Sequence, residues 1–250
     1  MSPRQSEYLD AMGIQRWQLR NADLEDISVA NSIAEMHDPL KTDVLLKVEQ
    51  ADTGAGESLR SKVSDDSLWW SLSDEVVACR QCALHQSRTQ TVFGVGNQNA
   101  DWLIIGEAPD ADEDQQGEPF VGPAGKLLTQ MILALGYERE QVYIANILKC
   151  RPPSDRDPLP DEVRSCESHL KRQIALIKPK IIVAVGRVAA QNLLKTDAKI
   201  GAMRGSSYRY GERETPVVVT YHPAYLLRSP SEKAKAWQDL CLAQRVFMQV

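Results

Sequence analysis

Four short apolar runs stand out along the chain: residues 102–106, 142–148, 180–186 and 217–222, reading WLIIG, VYIANIL, KIIVAVG and VVVTYH. Each is nearly continuous in apolar residues and rich in β-branched ones. That pattern predicts strands buried on both faces, and hence a parallel sheet rather than a half-exposed antiparallel one. Helical apolar spacing lies between the runs, over 123–136, 160–177 and 187–195, and once more over 231–248. The alternation predicts an α/β fold, a three-layer α/β/α sandwich with a central, mainly parallel four-stranded sheet.

The first third of the chain lacks this rhythm. Tyr8, Leu9, Met12, Ile14, Trp17 and Leu19 form a short apolar cluster, helical up to a stop at Gly13. Residues 38–48 predict a small amphipathic helix with Pro39 near its start. Residues 50–68 are polar, small and partly Gly-rich, which predicts a flexible linker. The expected division is an interaction segment over 1–49, a linker over 50–68, and a main domain over 69–250 opened by Trp69 and Trp70.

Charge follows the same division. The net charge is −5. Residues 1–75 hold 7 Lys and Arg against 15 Asp and Glu, whereas residues 76–250 hold 22 against 19. The acid is concentrated in the first third, which leaves the main domain free to carry a basic face of the kind phosphate contact needs. No run approaches 18 apolar residues, and the first residues, MSPRQSEYLD, do not read as a secretory signal, so a cytoplasmic protein is expected.

Such a protein has little use for disulfides, which gives weight to its cysteines. Cys79 and Cys82 form C-x2-C, and Cys150 and Cys166 form C-x15-C. Spacing alone allows zinc, an iron–sulfur cluster, or one C-x-x-C beside scattered core cysteines. Cys241, inside the last helical pattern, is expected to be a buried thiol.

Each apolar run hands off to polar residues. The first leads into Gly106-Glu107-Ala108-Pro109-Asp110, the second carries Asn146, and the fourth ends in His222-Pro223-Ala224. Ligands of open parallel sheets bind outside the carboxyl ends of the strands, so Glu107, Asn146 and His222 are expected to converge on one rim. Between the first run and its helix lies GEPFVGPAG, residues 117–125. Its glycines permit close backbone approach to a ligand. Phe120, one of only three phenylalanines, sits there outside any apolar stripe, placed either to stack on a planar ring or to plug the sheet edge.

Taken together, G-E-A-P, E-P-F-V-G-P-A-G, N-x-x-K-C-R-P-P and H-P-A-x-L, with the four cysteines in this order, resemble the family 4 uracil-DNA glycosylases. These are iron–sulfur enzymes that remove uracil from DNA. The resemblance covers about residues 76–245 and implies uracil-containing DNA as substrate and a [4Fe–4S] cluster on Cys79, Cys82, Cys150 and Cys166. It further implies that His222 hydrogen-bonds uracil O2, that Asn146 reads the N3–O4 edge and rejects cytosine, and that Phe120 stacks on the base. Glu107 would position water or offset sugar charge. Backbone around Gly106, Ala108 and Pro109 would complete the pocket. Tyr225, Leu226, Leu227 and Arg228 would form a loop that wedges into DNA and holds phosphate. The chain departs from the family where a glycine usually closes the first motif: Asp110 stands there, and a carboxylate at that point narrows the pocket, repels substrate or points outward.

The N-terminal third resembles something else. R-x-x-x-Y-L-x-A-M-G-I-x-x-W-x-L-R, D-P-L-x-x-D-V-L at 38–45 and A-W-x-x-L-C at 236–241 are similar to the psi subunit of bacterial DNA polymerase III. That resemblance implies docking on the clamp loader through residues 1–30 by a chain that is a monomer when free. Two readings result: a uracil-DNA glycosylase tethered to the replication machinery, or a psi-like accessory subunit with a vestigial pocket.

Overall fold

The computed structural model describes residues 54–250, with side chains from Asp66 onward. The psi-like segment over 1–49 lies outside the described residues. Helix α1, Gly54–Ala78, begins inside the stretch expected to be a linker and runs without a break through Trp69 and Trp70. The expectation missed it because polar, small residues mask a stretch that contains no proline. Strand β1 (Val95–Gly96) precedes β2 (Trp102–Gly106), short helix α2 (Ala111–Gln116) and α3 (Pro123–Ala134). Then come β3 (Tyr143–Asn146), α4 (Pro160–Ile177), β4 (Ile181–Val185), α5 (Arg187–Leu194) and the single turn α6 (Ile200–Met203). Strands β5 (Ser207–Tyr210) and β6 (Thr215–Thr220), then α7 (Pro223–Arg228) and α8 (Lys233–Phe247), complete the domain.

The sheet has six strands in the order β1-β3-β2-β4-β6-β5. The four expected strands form its parallel centre, β3-β2-β4-β6. Two antiparallel edge strands, β1 on β3 and β5 on β6, extend the predicted four. Neither carried a signal in the sequence: β1 is two residues long, and β5 alternates between exposed and half-buried positions. The central strands are buried throughout, as their β-branched runs require.

Alternate strand residues feed two separate cores. Leu103, Ile105, Tyr143, Ala145, Ile182, Ala184, Val217 and Val219 face Trp69 of α1, Val163 and Leu170 of α4, and Ala189 and Leu193 of α5. Trp102, Ile104, Ile144, Val183, Val185 and Val218 face Leu128 of α3, Leu226 of α7 and Leu240 of α8. This is the three-layer α/β/α sandwich. The carboxyl ends of β2, β3 and β6 open on one rim. Among the described residues no helix is long and apolar enough to cross a membrane.

Candidate active site

Strand register decides what meets at this rim. Gly106, the last residue of β2, pairs directly with Asn146, the last residue of β3. A Cβ on Gly106 would lie 2.4 Å from Asn146 Oδ1 and 2.6 Å from Phe120 Cζ. Only glycine therefore lets the amide and the ring close over the end of β2. After the strands, Ile147 N donates to Gly106 O and Leu148 N to Glu107 O, so the two motif segments stay zipped together beyond the sheet.

Asn146 is 1% exposed. Its Nδ2 donates to Glu113 Oε2 at 3.3 Å, while its Oδ1 is buried without a partner among the described residues. Glu113 thereby settles which way round the amide sits and leaves an acceptor directed over Gly106. The other oxygen of Glu113, Oε1, accepts from Phe120 N at 2.9 Å. Phe120 has a left-handed backbone, φ 57°, unusual for a bulky residue and costly unless the surroundings enforce it. They do: Glu113 holds its N–H, Arg139 Nη2 donates to Pro119 O and Phe120 O, and a bare Gly125 lets the Phe120 carbonyl lie against α3. Burial and the nearby Asp110 carboxylate push Glu113 up to about 7, against the N–H groups of Phe120, Asn146 and Asp110 that favour its charged form.

His222 caps α7 from two residues beyond β6. Its Nδ1 accepts from Ala224 N at 3.2 Å, so the neutral ring carries its proton on Nε2. Burial, helped by the Arg228 charge, pushes its pKa down to about 4, which keeps the imidazole neutral near pH 7. The ring lies 5.5 Å from that of Phe120, centroid to centroid, at 31°. Glu107 follows Gly106 on the same rim. Burial and the Asp157 carboxylate raise it to about 6, with Arg187 pulling the other way. Asn146 and Phe120 thus close over the bare face of Gly106, His222 lies beside Phe120, and Glu107 follows on the same rim, with Ala108 half-buried and Pro109 buried next to it.

Three expectations change. Asp110 does not narrow the pocket: its Oδ1 accepts from Glu113 N at 3.0 Å, so it serves as N-cap of α2. Residues 223–228 are a helix, α7, and Leu226 is 1% exposed in the core, which removes it from the wedge; Tyr225 and Leu227, at 36% and 43%, face solvent with Arg228. Cys241 is half-buried rather than buried. Sequence reading also passed over Glu113. The only signal was an acidic residue six positions after Glu107, inside a short stretch of acidic surface-like composition.

Cys79, Cys82, Cys150 and Cys166 line one cavity together with Arg88, Lys149 and His169. Arg88 Nη1 donates to Cys150 Sγ at 3.0 Å and Lys149 N to Cys166 Sγ at 3.3 Å. Both ring nitrogens of the buried His169 lack partners. Burial raises the thiols of Cys150 and Cys166, the latter to about 11. Four sulfurs around one cavity, two of them with N–H donors aimed at them, suit a thiolate-bound metal group, which would hold them deprotonated.

A three-layer sandwich with an Asn and a loop Phe closed over a strand-end glycine, and a Glu and a neutral His on the same rim, has the arrangement of a base-binding enzyme class, and comparison with known proteins agrees. The model of the uracil DNA glycosylase superfamily matches residues 93–241, and the chain belongs to that superfamily. It is similar to the type-4 uracil-DNA glycosylase of Archaeoglobus fulgidus, 48% identical over 172 residues, 66% of this chain and 86% of that protein. It resembles those of Thermotoga maritima, at 40% over 66% of this chain and 85% of the relative, and Pyrobaculum aerophilum, at 38% over 68% and 90%.

Proposed function

We propose that this chain hydrolyses the N-glycosidic bond of deoxyuridine in DNA, releasing uracil and starting base excision repair. Breaking that bond leaves positive character on the sugar and negative charge on the departing base. A base inside a duplex is out of reach, so the nucleotide must be flipped into the pocket. There the Phe120 ring offers a stacking surface. Asn146 Oδ1 accepts the uracil N3–H, and the neutral His222 donates from Nε2 to uracil O2 as charge develops on it. Glu107, ionised above about pH 6, orients the attacking water and offsets sugar charge. Gly106, Ala108 and Pro109 form the wall of the pocket. Tyr225, Leu227 and Arg228 lie on the exposed face of α7, where DNA would pass.

The observation that carries this reading is the buried, unpartnered Asn146 Oδ1, its amide fixed by Glu113. It asks for a donor where uracil has N3–H and cytosine has an acceptor. Release of uracil from a single-uracil oligonucleotide is the test, with Asn146→Ala and His222→Ala as controls. A folded wild-type chain that releases none refutes it.

The four cysteines are assigned to a [4Fe–4S] cluster, which supplies architecture by tying the segment between α1 and β1 to the loop after β3 and to α4. A brown protein absorbing near ~400 nm is expected; a colourless one containing zinc overturns the assignment. In this reading the enzyme acts in the cytoplasm, is a monomer when free, and docks on the clamp loader through residues 1–30. The psi-like pattern around Trp17 supports that last step, and clamp-loader binding unchanged by Trp17→Ala counts against it.

A further inference from the structure

Lys149 is 1% exposed, yet no carboxylate pairs with it among the described residues. A buried ammonium without a counter-charge is strongly destabilising. The groups able to supply negative charge beside it are Cys166 and Cys150, as metal-bound thiolates. Its Nζ donates to two backbone carbonyls, Asn146 O at 3.0 Å and Phe93 O at 3.1 Å. The side chain therefore folds back three residues onto the residue whose amide faces the pocket. Its own backbone N–H donates to Cys166 Sγ, and its carbonyl accepts from Val92 N.

We propose that Lys149 is a positioning residue that couples the cysteine-bound cluster to the uracil reader. The thiolates balance its buried charge, and the ammonium so held clamps the carbonyl of Asn146, keeping its amide over Gly106. The proposal rests on the reading of the pocket as a uracil site. Arg88 provides the contrast. It donates to Cys150 Sγ and to Val77 O but has no recorded hydrogen bond to Asn146. Both side chains line the cysteine cavity, but only Lys149 donates to the base reader.

The test uses the full-length, cluster-loaded protein and its Lys149→Met and Arg88→Gln variants. Iron per chain, the cluster midpoint potential and single-turnover uracil release are measured on each. Loss of either positive charge makes the cluster harder to reduce, so both variants shift the potential to more negative values. Only Lys149→Met lowers uracil release strongly, by roughly tenfold to a hundredfold, the loss expected when a site group is displaced by about 1 Å. A cluster-loaded Lys149→Met with unchanged potential, or with unchanged uracil release, overturns the proposal. If Lys149→Met takes up no iron, Lys149→Arg answers the same question: it keeps the charge but displaces the clamp, so loaded protein with reduced release supports the coupling and unchanged release overturns it. Wild-type protein that releases no uracil refutes the glycosylase reading instead, which keeps the two failures distinct.

Discussion

The sharpest prediction concerns Glu113, which touches no substrate in this mechanism. Its two oxygens each accept one N–H, from Phe120 at 2.9 Å and from Asn146 at 3.3 Å. Glu113→Gln keeps the shape but exchanges one acceptor for a donor. The shorter bond to Phe120 retains the oxygen, and the new NH2 then faces Asn146 Nδ2. Two buried donors face to face cost on the order of 1–3 kcal/mol. Rotating the Asn146 amide by half a turn removes that cost, but it places Nδ2 where Oδ1 had been. Uracil N3–H then meets a donor, and its O4 meets an oxygen. Losing one correctly paired edge is worth about 1–3 kcal/mol, so kcat/KM on uracil falls roughly 10- to 100-fold. The flipped amide suits cytosine, whose N3 accepts and whose N4 donates, so the ratio of uracil to cytosine release falls further than the uracil rate alone. Single-turnover release from matched uracil and cytosine oligonucleotides, run well above pH 7 so that wild-type Glu113 is ionised, measures both. The wild type supplies an internal check. Its Glu113 protonates as pH falls through about 7, and one oxygen then becomes a donor, so its selectivity declines on the acid side while that of Glu113→Gln stays flat. Uracil release and selectivity within about 2-fold of wild type in the variant, a change of under ~0.5 kcal/mol, refute the argument.

Glu107 is raised to about 6, chiefly by burial and then by Asp157, so kcat climbs as pH rises through 6 and the carboxylate ionises; Arg187→Gln removes an opposing charge and moves that limb upward in a pH–rate profile. Asp110→Ala removes the α2 N-cap and costs about 1 kcal/mol in denaturant unfolding. It also lowers the Glu113 pKa, because Asp110 is one of the groups raising it, and so moves the acid-side loss of selectivity to lower pH. Leu226→Ala in the core of α7 costs about 2–5 kcal/mol of stability, whereas exposed Leu227→Ala stays within about 0.5 kcal/mol and acts instead on DNA affinity in a binding titration. Stripping iron with a chelator lowers the melting temperature and bleaches the absorbance together, since two buried and two half-buried thiols, the buried Lys149 and the half-buried Arg88 lose their common partner.

Local pattern determined the centre of this protein. Continuous β-branched runs have one stable use, as strands covered on both faces, so the parallel core and the helices between its strands follow from residue order alone. The convergence of Glu107, Asn146 and His222 follows from the same logic, because parallel strands bring their carboxyl ends to one rim. What lay beyond reach depended on partners distant in sequence. Asp110 is a threat to the pocket or a helix cap depending on a backbone N–H three residues on, and Leu226 is wedge or core depending on which face of α7 meets the sheet. The edge strands β1 and β5 are too short or too exposed to mark themselves. Nothing in the sequence marks Glu113 or Lys149 as buried, and the fold buries both, one hydrogen-bonded to the Asn146 amide and the other between that residue's carbonyl and the cysteines. Sequence named the polar side chains that meet at the strand-end rim. Only the tertiary structure decided what holds them in place, because burial and hydrogen-bond direction are properties of neighbours.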